Sequence, residues 1–251
     1  MMGCQKDTRL PITAVEEEEE EIEVVKELVT IKDPALQQYL KDEGYALTDG
    51  KIEKQKLEEV YTLDLSTGDY RSFETYDELA LFKNLKTLSL PDNGSITQLD
   101  LSANSLLESL LIFRFTQSKA TILKEINTSS LPKLRALKLV YGKSPEPPIF
   151  EGQMSQIVKL DLSKNPDLEE LSLKGLNMEE LDLSLNTGLK VLWMKEMLKL
   201  DELHLKNNVD IKSVYLTNLP AMKYFCINEK VNKTVANTWT LDTPVKYTVC
   251  E

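Results

Sequence analysis

The sequence predicts a solenoid: short parallel strands stacked in coils, with a helical cap before them and a β-rich closure after them. Three observations predict this fold. An apolar template, L-x-x-L-x-L, recurs about every 11 residues. Its copies alternate between two kinds, and the segments on either side do not follow the template. Regular recurrence of one short unit is the sequence signature of a repeat architecture, whose terminal units need caps.

The template accounts for the largest part of the chain. It starts at Leu85, Ile96, Leu107, Leu123, Leu134, Ile157, Leu168, Met178, Leu189, Leu200, Ile211 and Met222. The last three positions of each copy, L-x-L, alternate with period two, which predicts a short strand with leucines inward and the alternate residues outward.

Two kinds of copy make one coil of about 22 residues. The first kind, the Asn-type arm, carries D-L-S-x-N or part of this motif. Its copies end at Asn104, Asn165, Asn186 and Asn208. The second kind, the second arm, follows about 11 residues later and mostly lacks the asparagine. Asparagine at this spacing resembles that of the leucine-rich repeat family, and the resemblance implies that it bonds backbone groups that the bend after the strand leaves unpaired.

This pattern resembles the leucine-rich repeat family over roughly residues 60–230, with a departure at Leu131, where the asparagine is lost. More narrowly, it is similar to the internalin-like leucine-rich repeat surface lipoproteins of Bacteroides-type bacteria. The resemblance implies a single right-handed leucine-rich repeat solenoid, rich in β-structure, that presents one face to a partner.

The N-terminal cap is predicted from helix signals. Asp33-Pro34 supplies an N-cap acceptor and a first-turn proline, and Gly44 lies where the helix would stop. We predict four segments: a signal remnant with an acidic tether (1–21), a helical cap with the first coil (22–82), the solenoid (83–230) and a C-terminal cap (231–251).

The cap also contains a piece similar to the calcium-loop-like element of such lipoproteins. With Gly50 as the loop glycine, the ligand positions hold Tyr45, Leu47 and Lys56, none of which is a carboxylate. We therefore predict no calcium there, and no other metal or cofactor.

Composition restricts the partners. The chain of 251 residues is 41% hydrophobic, which is enough for a core, and carries a net charge of −11. An acidic surface repels phosphate backbones, so we expect no nucleic-acid ligand. No apolar run reaches the roughly 18 residues that span a bilayer. We expect a monomer that meets a membrane only through a lipid anchor.

The anchor is predicted at Cys4. In MMGCQKD a small residue precedes the cysteine, as at the end of a bacterial lipoprotein signal, and an acidic run follows at residues 16–21. The run resembles the export tag of surface lipoproteins, which implies a protein exported and lipid-anchored at the outer membrane or cell surface. The alternative is a cytosolic start with a chance cysteine and a solvated charge run.

One set of side chains raises the possibility of catalysis. The outward middle positions of successive Asn-type arms hold Asp182, His204 and Cys226, a combination that could act as a hydrolase relay or as metal ligands. A flat strand face supplies no pocket and no oxyanion donors, and the familiar catalytic motifs are absent from the sequence. We therefore predict no enzyme. Whether Cys226 pairs with Cys250 stays open.

The second arms carry the predicted binding residues. Their outward positions hold aromatic, aliphatic and lysine side chains, a composition typical of interface centres. The candidates are Leu111, Phe113, Lys138, Lys174, Trp193, Lys195 and Tyr215. The insertion at residues 140–156 could instead fold over part of this strip and bury it. We predict a non-catalytic adhesion module for a protein or glycan; a passive spacer is the remaining alternative.

Overall fold

Two parallel β-sheets packed against each other form the body of the protein. A computed structural model describes residues 26–91, 98–114, 123–141, 155–231, 236–242 and 245–250. The solenoid has about seven turns, which confirms the predicted fold class. Cys4, the acidic run and most of the 140–156 insertion lie outside the described residues.

The strands are short, and each coil contributes to one or both sheets. They are β1 (Leu28–Thr30), β2 (Lys51–Glu53), β3 (Thr62–Asp64), β4 (Thr87–Pro91), β5 (Ser109–Phe113), β6 (Ala136–Val140), β7 (Glu170–Lys174), β8 (Glu180–Asp182), β9 (Val191–Lys195), β10 (Glu202–Leu205), β11 (Ser213–Thr217), β12 (Tyr224–Ile227), β13 (Thr240–Leu241) and β14 (Lys246–Val249). The helices are α1 (Pro34–Asp42) and α2 (Lys54–Leu57), with 3-10 turns at Gly68–Ser72 and Tyr76–Leu81.

The two kinds of arm lie on opposite sides of the solenoid. The second arms, with β3 and β13 at the two edges, build an eight-stranded sheet in the order β3-β4-β5-β6-β7-β9-β11-β13, and Asn-type arms, with β14 at one edge, build a four-stranded sheet in the order β8-β10-β12-β14. Strand pairing is parallel throughout both sheets. Every template start is buried, apart from Ile96, which lies outside the described residues. Along β9, β10 and β11 the second and fourth residues are buried and the residues between them are not, so the predicted strand phase is confirmed in these strands.

A column of buried asparagines joins successive coils. Each side-chain nitrogen donates to two carbonyl oxygens in the turn of the preceding coil: Asn104 to Leu79 and Phe82 (both 2.9 Å), Asn165 to Thr128 (3.1 Å) and Leu131 (2.8 Å), Asn186 to Leu162 (2.9 Å) and Asn165 (2.8 Å), and Asn208 to Leu183 (3.1 Å) and Asn186 (2.7 Å). All four residues are fully buried. Their amide groups therefore satisfy carbonyls that the stacking of coils removes from water.

The coil that lacks an asparagine is held by a hydroxyl. Thr128, which is buried, places its Oγ1 2.7 Å from Asn165 Oδ1 and 2.9 Å from the carbonyl oxygen of Asp161. A hydroxyl has one proton, so it donates to one of these acceptors at a time. The Asn-type arms at residues 98–104, 125–131 and 159–165 are not strands, contrary to expectation. Between the second and third of these arms, the threonine hydroxyl occupies a carbonyl that a strand ladder would use.

The N-terminal cap begins and ends as predicted. Asp33 accepts hydrogen bonds from the backbone nitrogens of Ala35 (2.8 Å) and Leu36 (3.1 Å) at the start of α1. Gly44 follows the helix with φ +88°, a conformation that favours glycine. Hydrogen bonds from Gly44 and from the next residue to carbonyls in the last turn close the helix.

Two buried carboxylates fix this cap to the first coil. The second oxygen of Asp33 accepts from the backbone nitrogens of Glu74 (2.8 Å) and Thr75 (3.1 Å). In return, Glu78 accepts from the backbone nitrogens of Lys32 (2.5 Å) and Asp33 (3.1 Å). These bonds join the cap to a segment about 40 residues away, so the helix covers the apolar end of the solenoid in one orientation.

The C-terminal closure adds one strand to each sheet. Strand β13 pairs with β11, and β14 pairs with β12. A disulfide joins Cys226 to Cys250, which settles the pairing that the sequence left open. Phe225, Trp239 and Tyr247 pack as an aromatic cluster beneath the last turn. The predicted β-rich closure is therefore confirmed.

We expect Asn186→Leu to lower the free energy of unfolding by about 2–4 kcal/mol. Leucine fills similar space, as Leu131 does at the equivalent position, but leaves the carbonyls of Leu162 and Asn165 without their donor. The matched control is Asn207→Leu, because Asn207 is exposed and makes one bond, to the carbonyl of Ser184 (3.0 Å). Urea unfolding monitored by circular dichroism measures both, and equal losses would contradict a coil-joining role for the buried column.

Candidate binding face

The outward surface of the eight-stranded sheet carries the predicted binding residues in rows that cross the strands. Strand register places Ser89, Leu111, Lys138, Ser172, Trp193, Tyr215 and Thr240 side by side, and we call this the central row. Neighbouring strands are roughly 4.8 Å apart. The row is therefore a continuous surface to which seven strands contribute one large or hydroxyl-bearing side chain each.

Trp193 and Tyr215 form the centre of this face. Their rings are 5.8 Å apart between centroids and within 8° of parallel. The expected neighbour relation is therefore confirmed, with direct stacking of the two rings. Both side chains are partly exposed, so the pair presents an apolar surface to solvent while each ring supports the other.

Two predicted binding residues are less accessible than their outward position suggested. Phe113 is 4% exposed and Lys174 is 6% exposed, so the expectation that they face water was wrong. Both lie in the row after the central one, at the strand ends. Leu111 and Lys195 are partly exposed, and Lys138 is exposed. Phe113 fits the alternative of a covered strip, although most of the insertion lies outside the described residues.

Burial of Lys174 is accompanied by a buried carboxylate. Its Nζ lies 3.5 Å from Glu196 Oε2, and the two side chains are 8% and 2% exposed. The other oxygen of Glu196 lies 3.8 Å from Lys195 Nζ. A buried charge is stable only beside an opposite one, so the glutamate explains why lysine is tolerated here.

The backbone of Glu196 is unusual for a glutamate. Its φ is +56°, and the equivalent residues of the neighbouring coils, Gly175 and Asn218, have φ of +68° and +55°. Glycine and asparagine adopt this left-handed conformation readily, whereas glutamate does so at a cost. One such residue follows immediately after each of β7, β9 and β11. The L-x-x-L-x-L template does not include this position, so the leucine pattern did not predict it.

Charges along the border of the face are paired with one another. The residues that precede each strand form a row: Lys86, Glu108, Arg135, Glu169, Lys190 and Lys212. Glu169 accepts from Lys190 (2.6 Å) and from Arg135. These two bonds, led by that from Lys190, lower the pKa of Glu169 to about 2. Lys86 lies 3.4 Å from Glu108, so both carboxylates of the row are paired with cations of the same row.

The opposite side of the solenoid uses its aspartates to close turns. Asp100, Asp161 and Asp182 each accept from the backbone nitrogen two residues later, at 2.8, 2.9 and 2.8 Å. Hydrogen bonds from Ser102 and Ser163 lower the pKa of Asp100 and Asp161. For Asp182, burial alone would raise the pKa, but bonds from Ser184 and the nearby His204 outweigh it and lower the pKa. The D-L-S motif is therefore a turn motif.

The considered hydrolase relay is brought together but lacks its nucleophile. Register places His204 opposite both Asp182 and Cys226, and His204 Nδ1 lies 4.0 Å from Cys226 Sγ. That sulfur is bonded to Cys250, so no thiol is present to attack a substrate. His204 Nε2 instead lies 3.6 Å from Glu202. Among the described residues, no group of three or more metal-ligating side chains is placed to hold an ion.

Within the described ranges, no helix has the length and apolar character needed to cross a bilayer.

No known protein-family profile matches the sequence. No curated protein matches it either.

Solved structures resemble the fold. The functional domain of InlJ from Listeria monocytogenes, which includes a cysteine ladder, matches over 90% of this chain with a TM-score of 0.58 and 19% identity. This chain spans 45% of that domain. Internalin C2 of the same organism matches over 86% of this chain and 93% of its own (TM-score 0.40, 14% identity), and internalin F over 86% and 64% (TM-score 0.39, 17% identity). The InlJ likeness shows that the chain has an internalin-like leucine-rich repeat fold.

We expect Glu196→Gln to lower the free energy of unfolding by about 3 kcal/mol, because Lys174 keeps its burial and loses its carboxylate partner. Glutamine has the same shape as glutamate and adopts the left-handed backbone at a similar cost. The variant therefore changes only the charge of the side chain. The control is Glu170→Gln, whose partner Lys138 lies 3.8 Å away with both side chains about half exposed. We expect less than about 0.5 kcal/mol there. Equal effects in urea unfolding would show that the buried pair adds no stability.

Proposed function

We propose that this protein is a non-catalytic, surface-exposed binding module whose contact face is the central row of the eight-stranded sheet. The observation that carries the proposal is the partly exposed Trp193–Tyr215 stack in the middle of a rigid face. Large aromatic side chains at the centre of a patch supply most of the binding energy in protein interfaces. Repeat scaffolds hold such groups without the entropy cost of ordering a loop.

The opposite sheet is the weaker candidate for the same role. On that side of the solenoid, Asp100, Asp161 and Asp182 already accept hydrogen bonds from their own turns. The partner we propose is a protein or a glycan outside the cell. Adhesion to this partner does not require the protein to catalyse a reaction.

Export is supported by the disulfide. Cys226–Cys250 lies near the opposite end of the sequence from Cys4, so it is an observation independent of the motif that suggested a lipid anchor. Disulfides persist in oxidising compartments and are rare in reducing cytosol. We therefore propose that the chain is exported and held at the outer membrane or cell surface by a lipid on Cys4.

The binding face is tested with the double variant Trp193→Ala/Tyr215→Ala. Loss of each central anchor costs about 2 kcal/mol, or about thirtyfold in affinity. We expect capture of partners from a mixture of extracellular proteins and glycans by the immobilised full chain to be abolished. Because the rings are stacked, we also expect a loss of roughly 1 kcal/mol in stability.

The matched control is Tyr61→Ala/Tyr224→Ala, which removes two aromatic rings outside the central row that are 53% and 61% exposed. It should capture partners as the wild type does. Retained capture by the Trp193/Tyr215 variant, or equal loss in the control, would contradict the assignment of this face.

The anchor is tested with Cys4→Ser. Removing the acceptor of the lipid should move the protein from the membrane fraction to the soluble fraction of the source cell. The thermal midpoint of the purified chain should not change, because we predict Cys4 to lie outside the folded part. A variant that fractionates with membranes as the wild type does would exclude lipidation at this residue.

A further inference from the structure

The central row contains a notch beside the aromatic stack. Ser172 lies between Lys138 and Trp193 in register, on strand β7. It is the small residue of the three. Tyr215 covers one face of the Trp193 indole, so the opposite face is turned toward the β7 side, above Ser172. The notch therefore has an aromatic wall, a hydroxyl floor and a lysine on its far side.

The width of the notch restricts what it can hold. Lys138 and Trp193 are two strand spacings apart, which is roughly 10 Å between backbones. An α-helix with its side chains is about 10–12 Å across and does not fit between them. A single ring can stand on Ser172 against the indole face.

Charge restricts the ligand further. Lys138, on the far side of the notch, lies 3.8 Å from Glu170. This one-to-one pair leaves no net charge beside Ser172, so the notch offers little to a strongly charged ligand. The Lys138–Glu170 pair is about half exposed, and covering it with an apolar group would remove water without replacing its hydrogen bonds.

A neutral sugar ring meets these conditions together. One face of a pyranose carries C–H groups that pack on an indole ring, while its hydroxyls donate and accept hydrogen bonds around the edge. Ser172 Oγ, the Glu170 carboxylate and the Lys138 ammonium are the groups available to those hydroxyls. A protein side chain that is flat and apolar would satisfy the indole, but it would displace water from Ser172 Oγ and from the Lys138–Glu170 pair without replacing the hydrogen bonds of that water.

We infer that the notch over Ser172 is a subsite for one neutral pyranose unit of a glycan, stacked on Trp193. This inference rests on the proposed function and names the chemical class of the partner. Such an open subsite binds one sugar unit weakly, and a glycan that spans several coils gains affinity from contacts with Tyr215 and Thr240 along the row.

The experiment measures binding of four neutral tetrasaccharides, built from glucose, mannose, galactose and N-acetylglucosamine, to the full chain by isothermal titration calorimetry. We expect saturable binding of at least one. Ser172→Leu, which fills the floor, and Trp193→Ala, which removes the wall, should each weaken it at least tenfold. Ser109→Leu makes the same change outside the central row and should leave the affinity unchanged.

Lys138→Met provides a second variant at an exposed position, so a folding defect in Ser172→Leu does not decide the result. We expect it to weaken the same tetrasaccharide severalfold, with an unchanged thermal midpoint. Absence of binding to all four probes, or binding that survives both Ser172→Leu and Trp193→Ala, overturns the inference. If capture of a protein still depends on Trp193 and Tyr215 in that case, the proposed function stands and only the sugar subsite falls.

Discussion

The buried asparagine column is the interaction on which the rest of the structure depends. A coil of about 22 residues cannot bury its apolar side alone, and stacking it on a neighbour removes the carbonyls of the turns from water. The side-chain nitrogens of Asn186 and Asn208 donate to two such carbonyls each, in the coil before them. The asparagines therefore replace the hydrogen bonds to water that these carbonyls lose when coils stack. They also hold the strands of both sheets in register from coil to coil.

The different roles of the two kinds of arm explain why the outward side chains on one side of the solenoid can vary. The Asn-type arms use their aspartates to close turns and their asparagines to join coils, so most of their polar residues have structural partners. In the second arms, residues other than the leucines neither close these turns nor join the coils. Their outward positions therefore hold Trp193 and Tyr215, the ion pair of Lys138 and Glu170, and the buried Lys174 with Glu196. The proposed binding surface therefore lies where the fold places the fewest demands on side-chain identity.

The fold was predictable because its main signal is periodic. Burial requires a leucine wherever the coil turns inward, and Asp33 and Gly44 mark a helix through local backbone chemistry. The site was less predictable because it depends on contacts between coils. Burial of Lys174 follows from Glu196, 22 residues away and in a left-handed conformation. The D-L-S motif also misleads about position: Asp64 closes the same turn with Ser66, yet lies in the eight-stranded sheet.

The most direct test of the account is hydrogen–deuterium exchange of the full chain with and without a bound partner. Exchange reports protection segment by segment, so it distinguishes the two sheets without assuming which residues matter. The account predicts that a partner slows exchange in β7, β9 and β11 and leaves β8, β10 and β12 unchanged. Protection confined to the four-stranded sheet would contradict it, because the binding face would then be the one whose polar groups we assign to structure.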